Sequence, residues 1–375
     1  MKQLIVLTIN AIILLIALQA VYADVYYVPY IHQAKVVDHP DFKPVGILEV
    51  DAFTGAASYN YEIKVSKGTN DLTPQVTLAY NSHLTYQKPS IVGTGWVLSS
   101  YDYIQRNTDH TFDDTSDDYY DLYFQGRHYE LVYVASDDRY HTEEESFFFI
   151  EKQLGASNAN GEYWTLKTKD GTTYRFGYND DAEMVATEYS YTWRWSLDQV
   201  TDTHDNTMYY TYQENPDADD SGAVYPYTIS YNNDKSRVIT FELEDREDLW
   251  TGYYDGSYVA EAQRIAAIKM TVDNDLVRKY VIEYEELGLN TRYSISSIQE
   301  YGSDGATALP ATTFTYEEMQ WSFDESPDFD LVPEDAAFTN TDGTEEYGVR
   351  FGDFNGDGLL DLIKSLETCN DDWCF

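Results

Sequence analysis

The chain has 375 residues and a strongly acidic composition, with 66 Asp and Glu against 24 Lys and Arg and a formal net charge of −42 at pH 7. A surface of that sign repels phosphate backbones, so the composition excludes nucleic acid as a partner. Two cysteines are too few for a disulfide scaffold, whereas 36 tyrosines suit the half-buried faces of β-sheets.

The first residues have the pattern of a secretory signal peptide. Lys2 supplies a positive charge, an apolar run follows from Leu4 to Leu18, and Val21 and Ala23 are the small residues at positions −3 and −1. The run is short for a membrane span, and no other segment approaches that length. We therefore expect residues 1–23 to be removed and the protein to be secreted, without a membrane span in its mature form. The alternatives are an uncleaved membrane anchor and a buried helix.

Strand periodicity dominates the rest of the sequence. In residues 58–65 apolar and aromatic side chains alternate with polar ones, and the alternation recurs in residues 238–243 and 279–284. Such patterns predict antiparallel strands with one mostly solvated face. Asn-Gly, Asp-Gly and Asn-Asn turn signals separate the strands at short intervals. The sequence therefore predicts an all-β fold of multi-stranded antiparallel sheets, arranged as a sandwich or a curved shell.

Length suggests about two units, because the 352 residues that remain of the 375 without the first 23 exceed what one core usually serves. Residues 322–343 contain Pro327, Pro333 and many acidic residues, as a linker or long loop would. We expect one β domain over residues 24–321 and a second unit over residues 344–375.

Six segments of the predicted β domain contain glycine or polar turns beside aromatic strands. They are VDAFTGAASYNYEIKV (Val50–Val65), LTPQVTLAYNS (Leu72–Ser82), GTGWVLSS (Gly93–Ser100), WTLKTKDGTTYRFG (Trp164–Gly177), RWSLDQVTDTHDNTMYYTY (Arg194–Tyr212) and LPATTFTY (Leu309–Tyr316). In this order they resemble the N-terminal domain shared by SpvB, the B component of insecticidal toxin complexes (Tc toxins) and many Rhs-associated proteins. The resemblance covers roughly residues 45–320.

One segment departs from the family pattern. The family usually has Gly in the Rhs-like turn, where this chain has Asp205-Asn206. Asn tolerates a left-handed conformation, so we expect the turn to survive. The resemblance implies that the sheets form part of a hollow β-shell around a toxic segment encoded farther along the chain. It also implies that the partners are downstream toxin or Rhs segments, or other subunits of a toxin complex.

Near the end of the chain, the segment DFNGDGLLD has the ligand spacing of a calcium loop. Positions 1, 3, 5, 7 and 9 of such a loop correspond to the side chains or carbonyl of Asp353, Asn355, Asp357, Leu359 and Asp361. Two glycines permit the sharp turn. Position 12 is Lys364 instead of Glu, which argues against an EF-hand. The alternative is an acidic turn in a hairpin.

The wider segment VRFGDFNGDGLLDLI resembles the FG-GAP or VCBS repeat, in which such a loop joins two strands of a β-propeller blade. The resemblance implies that residues 344–375 are the truncated start of a blade and that calcium is the cofactor of the complete repeat. The same repeat type follows the SpvB-like domain in Tc toxin B proteins.

Motifs that carry catalysis are missing from the sequence. It has no His-Glu-x-x-His pair, Gly-x-Ser-x-Gly elbow, phosphate loop or dinucleotide fingerprint. Glu283 and Glu285 have the spacing of the ADP-ribosyltransferase glutamates known in the SpvB family, but lie in an alternating strand without the surrounding motif. We therefore expect a non-enzymatic structural or delivery module of a secreted Rhs or Tc-like toxin. The alternatives are a surface adhesion or ligand-binding protein with a calcium-loop propeller, and a secreted carbohydrate-active enzyme.

Overall fold

The computed structural model describes residue 46 and residues 48–316, except 110, 113, 115, 187, 255 and 288–291, and the backbone of residues 349–352 and 361–364. Within these ranges the regular structure consists of β-strands and short 3-10 helices at Thr69–Asp71, Ser82–Tyr86 and Asp180–Ala182. The predicted all-β fold with multi-stranded antiparallel sheets is confirmed. No helix in the same ranges is long and apolar enough to cross a membrane. The predicted signal peptide and linker, residues 1–23 and 322–343, lie outside the described residues.

The first sheet, called the small sheet here, has four antiparallel strands in chain order: β1 (Leu48–Val50), β2 (Ala57–Glu62), β3 (Thr77–Asn81) and β4 (Trp96–Leu98). The predicted alternation is confirmed here, because Tyr61 and Ile63 are buried while Glu62 and Lys64 are exposed. One face of the strand can therefore pack against the rest of the protein.

Eight further strands form a ring, called the closed sheet: β5 (Tyr103–Asn107), β6 (Tyr119–Phe124), β7 (Arg127–Val134), β8 (Arg139–Thr142), β9 (Phe149–Leu154), β10 (Glu162–Lys167), β11 (Thr173–Phe176) and β13 (Thr192–Thr201). The short strand β12 (Glu183–Val185) pairs with β13 outside the ring. Residues 194–196 of β13 pair with β5, and its last residues pair with β11, so the ring closes. Its interior is filled by side chains, among them the fully buried Trp164 and Trp195, whose ring centroids are 5.9 Å apart.

From β13 the strands continue outward in chain order as the long sheet: β14 (Thr207–Glu214), β15 (Val224–Tyr231), β16 (Arg237–Tyr254), β17 (Ser257–Val272), β18 (Asp275–Glu286), β19 (Tyr293–Tyr301) and β20 (Thr312–Thr313). The predicted alternation in residues 238–243 and 279–284 is confirmed by the burial of Ile239, Phe241 and Tyr280. The small sheet lies against this sheet, since the ring of Tyr61 meets that of Tyr280 edge-on at 6.1 Å.

A separate hairpin is formed by β21 (Val349–Gly352) and β22 (Asp361–Lys364), which are antiparallel, with Gly352 opposite Asp361. The predicted calcium loop joins these two strands. Its other predicted ligands, Asp353, Asn355, Asp357 and Leu359, lie outside the described residues, and the side chain of Asp361 is not described either. The propeller blade and its calcium therefore stay predictions.

Candidate functional site: a polar groove where the sheets meet

A groove of about 610 Å³ lies where three parts of the fold come together. The loop between β2 and β3 forms one wall, and the connection from β4 to β5 forms the floor. The turns that join β10 to β11 and β13 to β14 form the rim on the other side. Polar and aromatic side chains from residues far apart in sequence therefore face one opening.

Asp102 forms part of the floor, directly before β5. Its backbone carbonyl accepts a hydrogen bond from the N–H of Leu197 at 2.9 Å, which ties it to β13. Its Oδ1 accepts a hydrogen bond from the backbone N–H of Gln125, also at 2.9 Å. The residue is only 9% exposed. Burial raises the pKa of the Asp102 carboxyl to about 7, against the smaller opposing effect of the Gln125 hydrogen bond.

Two tyrosines stand beside Asp102. Tyr210, on β14, is 8% exposed, and its hydroxyl makes no hydrogen bond to any residue that the structure describes. Burial raises the pKa of Tyr210, and the negative charges of Asp102 and Tyr174 add to the effect. Tyr174, on β11, accepts a hydrogen bond from Nε2 of Gln125 at 3.4 Å. Burial raises its pKa to about 12. Both phenols therefore stay protonated at neutral pH.

The rim beside β14 is a tight turn organised by Asp202. Its carboxylate accepts hydrogen bonds from the backbone N–H groups of His204 at 2.8 Å and Asn206 at 2.9 Å, and from the side-chain amide of Asn70 at 3.2 Å. Burial is the largest single influence and raises the pKa of Asp202, but these hydrogen bonds and one from the side-chain amide of Asn206 together outweigh it and lower the pKa to about 2. The left-handed residue of the turn is Asp205, with φ 59°, and not Asn206. The turn survives, as expected, because Asp too tolerates this conformation.

The charge of the groove is one-sided. Four carboxylates line it: Asp71, Asp102, Asp170 and Asp202. No Lys or Arg is found among its described lining residues. Among the residues that the structure describes, no three His, Cys, Asp or Glu side chains are placed to hold a metal ion together. The arrangement can accept hydrogen bonds from a cationic group and offers aromatic faces beside it.

The predicted site residues lie elsewhere. Asp361 starts β22, and the remaining predicted calcium ligands are outside the described residues. Glu283 and Glu285 are both on β18, where Glu283 is exposed, and neither lines the groove.

The groove was not predicted from the sequence, although several of the six resembling segments contribute residues to its lining. The Lys-Asp-Gly turn brings Asp170, and the Rhs-like segment brings Asp202 and Tyr210. Asp102 follows the segment GTGWVLSS by two residues. These acidic residues in turns are the sequence feature that could have indicated the groove. Each of them taken alone is explained by its role in forming a turn.

The family model described as Salmonella virulence plasmid 65kDa B protein (SpvB) matches residues 51–243, which is 193 of the 375 residues. The chain belongs to the SpvB family. A comparison of this SpvB-family chain with curated proteins found no match.

Solved structures share its fold. The crystal structure of TcdB2-TccC3 has a TM-score of 0.62 at 16% identity, covering 84% of this chain and 18% of that chain. The Photorhabdus luminescens Tc holotoxin pore has a TM-score of 0.61 at 17% identity, covering 86% and 18%. The N-terminal domain of effector protein SpvB from Salmonella typhimurium strain LT2 has a TM-score of 0.51 at 16% identity, covering 68% and 98%. This chain therefore spans about a fifth of the Tc chains and most of the fold of the SpvB domain.

Proposed function

We propose that this chain is a structural and delivery module of a secreted Tc-like or Rhs-type toxin, and that it forms part of a shell around a toxic segment. The observation that carries the proposal is the fold match, in which most of this chain aligns with 18% of the TcdB2-TccC3 chain. A fold that recurs as one part of a much larger toxin chain is expected to serve as a building unit of that assembly.

The packing of the sheets supports a role for this domain as part of a shell wall, because its own closed sheet has no room for cargo. Tyr120, Trp164 and Trp195 fill the closed sheet, with Tyr120 and Trp164 meeting edge-on at 4.9 Å. A sheet filled in this way holds no cargo in its own interior. In the proposal, the long sheet forms a stretch of wall and the closed sheet stiffens one end. The enclosed space is completed by segments or subunits that adjoin this chain.

The proposal includes the organisation expected from the sequence. Residues 1–23 direct secretion, residues 24–321 form the shell domain, and residues 322–343 link it to a calcium-loop repeat that starts at residue 344. The partners are downstream toxin or Rhs segments, or subunits of a toxin complex. They are polypeptides and not nucleic acid, since the net charge is −42.

We also propose that the module is not an enzyme. Glu283 and Glu285 lie on β18, a strand of the long sheet, away from the groove, and Glu283 points to solvent. A transferase glutamate needs a cleft that holds its substrate beside it. In the groove itself, Asp102 and the two tyrosines make contacts suited to binding.

Purification of the secreted protein from cells that produce it tests the proposal. We expect a particle that contains further toxin or Rhs segments, a hollow interior by electron microscopy, and a toxic segment that resists added protease until the particle is denatured. A secreted chain that is found alone, with every attached segment open to protease, would contradict the shell function.

A further inference from the structure

Asp102 lacks the cationic partner that three other buried aspartates, Asp118, Asp198 and Asp248, each have. The Asp118 carboxylate lies 2.7 Å from Arg106, that of Asp198 lies 2.8 Å from Arg175, and that of Asp248 lies 3.0 Å from Arg246. Asp102 is buried to a similar degree but accepts one backbone N–H and forms no ion pair within the described part of the chain.

Buried charges in proteins are normally paired, because removing an ion from water is costly unless a counter-charge replaces the solvent. Two other residues that line the groove also carry a hydroxyl without a described partner. The hydroxyl of Tyr210 has no hydrogen bond to a described residue, and the buried Oγ of Ser100, which also lines the groove, has none either. Both residues line the groove.

The charge at the rim has the same sign as the charge that Asp102 carries at the floor when it is ionised. Asp202 stays ionised because hydrogen bonds within its turn hold its pKa low, and hydrogen bonds from Thr168 and Thr172 lower the pKa of Asp170. Neither carboxylate forms an ion pair with a described Lys or Arg, although such pairs are frequent elsewhere on this protein. The field in the groove therefore attracts a cation that the described chain does not supply.

We propose that the groove binds a lysine or arginine side chain of a polypeptide, with the cationic group placed against Asp102 and Tyr210. An ammonium or guanidinium group has several N–H donors and no acceptor, which matches a floor of carboxylate and hydroxyl oxygens. The tyrosine faces add a cation–π contribution. The volume of about 610 Å³ leaves room for residues on either side of the cationic one. This inference does not depend on the shell function.

A short peptide is the direct probe. The full chain is titrated calorimetrically at pH 8, above the pKa of about 7 of Asp102, in 150 mM NaCl, with the peptide acetyl-Gly-Lys-Gly-Lys-Gly-amide. We expect saturable binding of one peptide. Asp102→Asn keeps the shape and the hydrogen bond from Gln125, and should weaken binding roughly tenfold, the loss typical of one charge-assisted hydrogen bond. Tyr210→Phe removes one hydroxyl and should weaken binding by roughly threefold to tenfold.

The controls separate a site from general attraction to an acidic surface. Glu283→Gln removes the same charge from an exposed position outside the groove and should change the affinity less than about twofold. The peptide with both lysines acetylated should not bind. Equal losses in Glu283→Gln and Asp102→Asn would overturn the proposal, as would wild-type affinity in both groove variants. Equally tight binding of the diamine cadaverine would contradict the assignment to a polypeptide. Circular dichroism confirms that each variant is folded.

Discussion

Trp96 donates its indole N–H to the hydroxyl of Tyr316 at 2.9 Å, across 220 residues of sequence. The Tyr316 hydroxyl donates in turn to the carbonyl of Ile295 at 2.7 Å. Trp96 lies on β4 of the small sheet and Ile295 on β19 of the long sheet, so this relay fastens the two sheets together. Phe314 also packs edge-on against Trp96, with ring centroids 4.9 Å apart. The closing segment of the domain therefore holds its third segment in place.

Removing the Tyr316 hydroxyl should destabilise the protein. In Tyr316→Phe the indole N–H of the fully buried Trp96 loses its acceptor, which costs about 2 kcal/mol of the free energy of unfolding. Urea denaturation of the two proteins measures the difference. Tyr80→Phe is the control. The ring of Tyr80 also packs against that of Trp96, with centroids 5.4 Å apart, but its hydroxyl makes no hydrogen bond to a described residue. A loss as large in Tyr80→Phe would show that the hydrogen bond is not the cause.

Gly177 is a second point where packing depends on one residue. Its φ is +69°, and a Cβ at this position would overlap the side chain of Trp195 in the closed sheet. Gly161 has the same backbone conformation, φ +70°, but a Cβ there would meet no atom within 4 Å. In both Gly→Ala variants the left-handed conformation should lower the free energy of unfolding by about 1–2 kcal/mol.

Only Gly177→Ala should add the cost of overpacking, about 1–3 kcal/mol more. Thermal denaturation of both variants side by side checks this difference. If Gly161→Ala is destabilised as strongly as Gly177→Ala, the contact with Trp195 has no measurable effect.

The local features of the fold could be predicted from the sequence, whereas the long-range ones could not. The alternation of apolar and polar residues predicts β2, β16 and β18, and turn residues predict the hairpins, because these patterns depend on neighbours in sequence. The closure of β13 onto β5 and β11, and the contact of Trp96 with Tyr316, join residues too far apart for any period to reveal. The groove is unpredictable for the same reason, since its walls come from separate hairpins.

The buried carboxyl of Asp102 should make stability depend on pH. Its pKa rises from the ordinary 3.8 to about 7 on folding, so between these values the folded state retains a proton that the unfolded state has released. The free energy of unfolding therefore falls as pH rises through this window, by about 4 kcal/mol in all, and changes no further above it. This sign is opposite to that of a carboxylate held by a salt bridge.

Asp102→Asn removes the titrating group but can still accept the hydrogen bond from Gln125. Relative to the wild type, the variant should gain about 3 kcal/mol between about pH 5 and about pH 8. Urea denaturation at both pH values, compared with Asp219→Asn on an exposed loop, isolates the effect of the buried position. A constant difference between wild type and Asp102→Asn across this range would show that the carboxyl does not titrate there.

The last prediction concerns the calcium loop between β21 and β22. Asp353, Asn355, Asp357 and Asp361 place several oxygen ligands within nine residues, and the like charges of the three aspartates repel one another without a cation. We expect calcium to bind with a Kd of roughly 10⁻⁴ to 10⁻³ M, as in extracellular modules. In Asp357→Ala this binding should be lost. Calorimetry measures both, with magnesium as the competing ion. If the wild-type protein binds no calcium, or if Asp357→Ala binds as tightly as the wild type, the segment is an ordinary acidic turn.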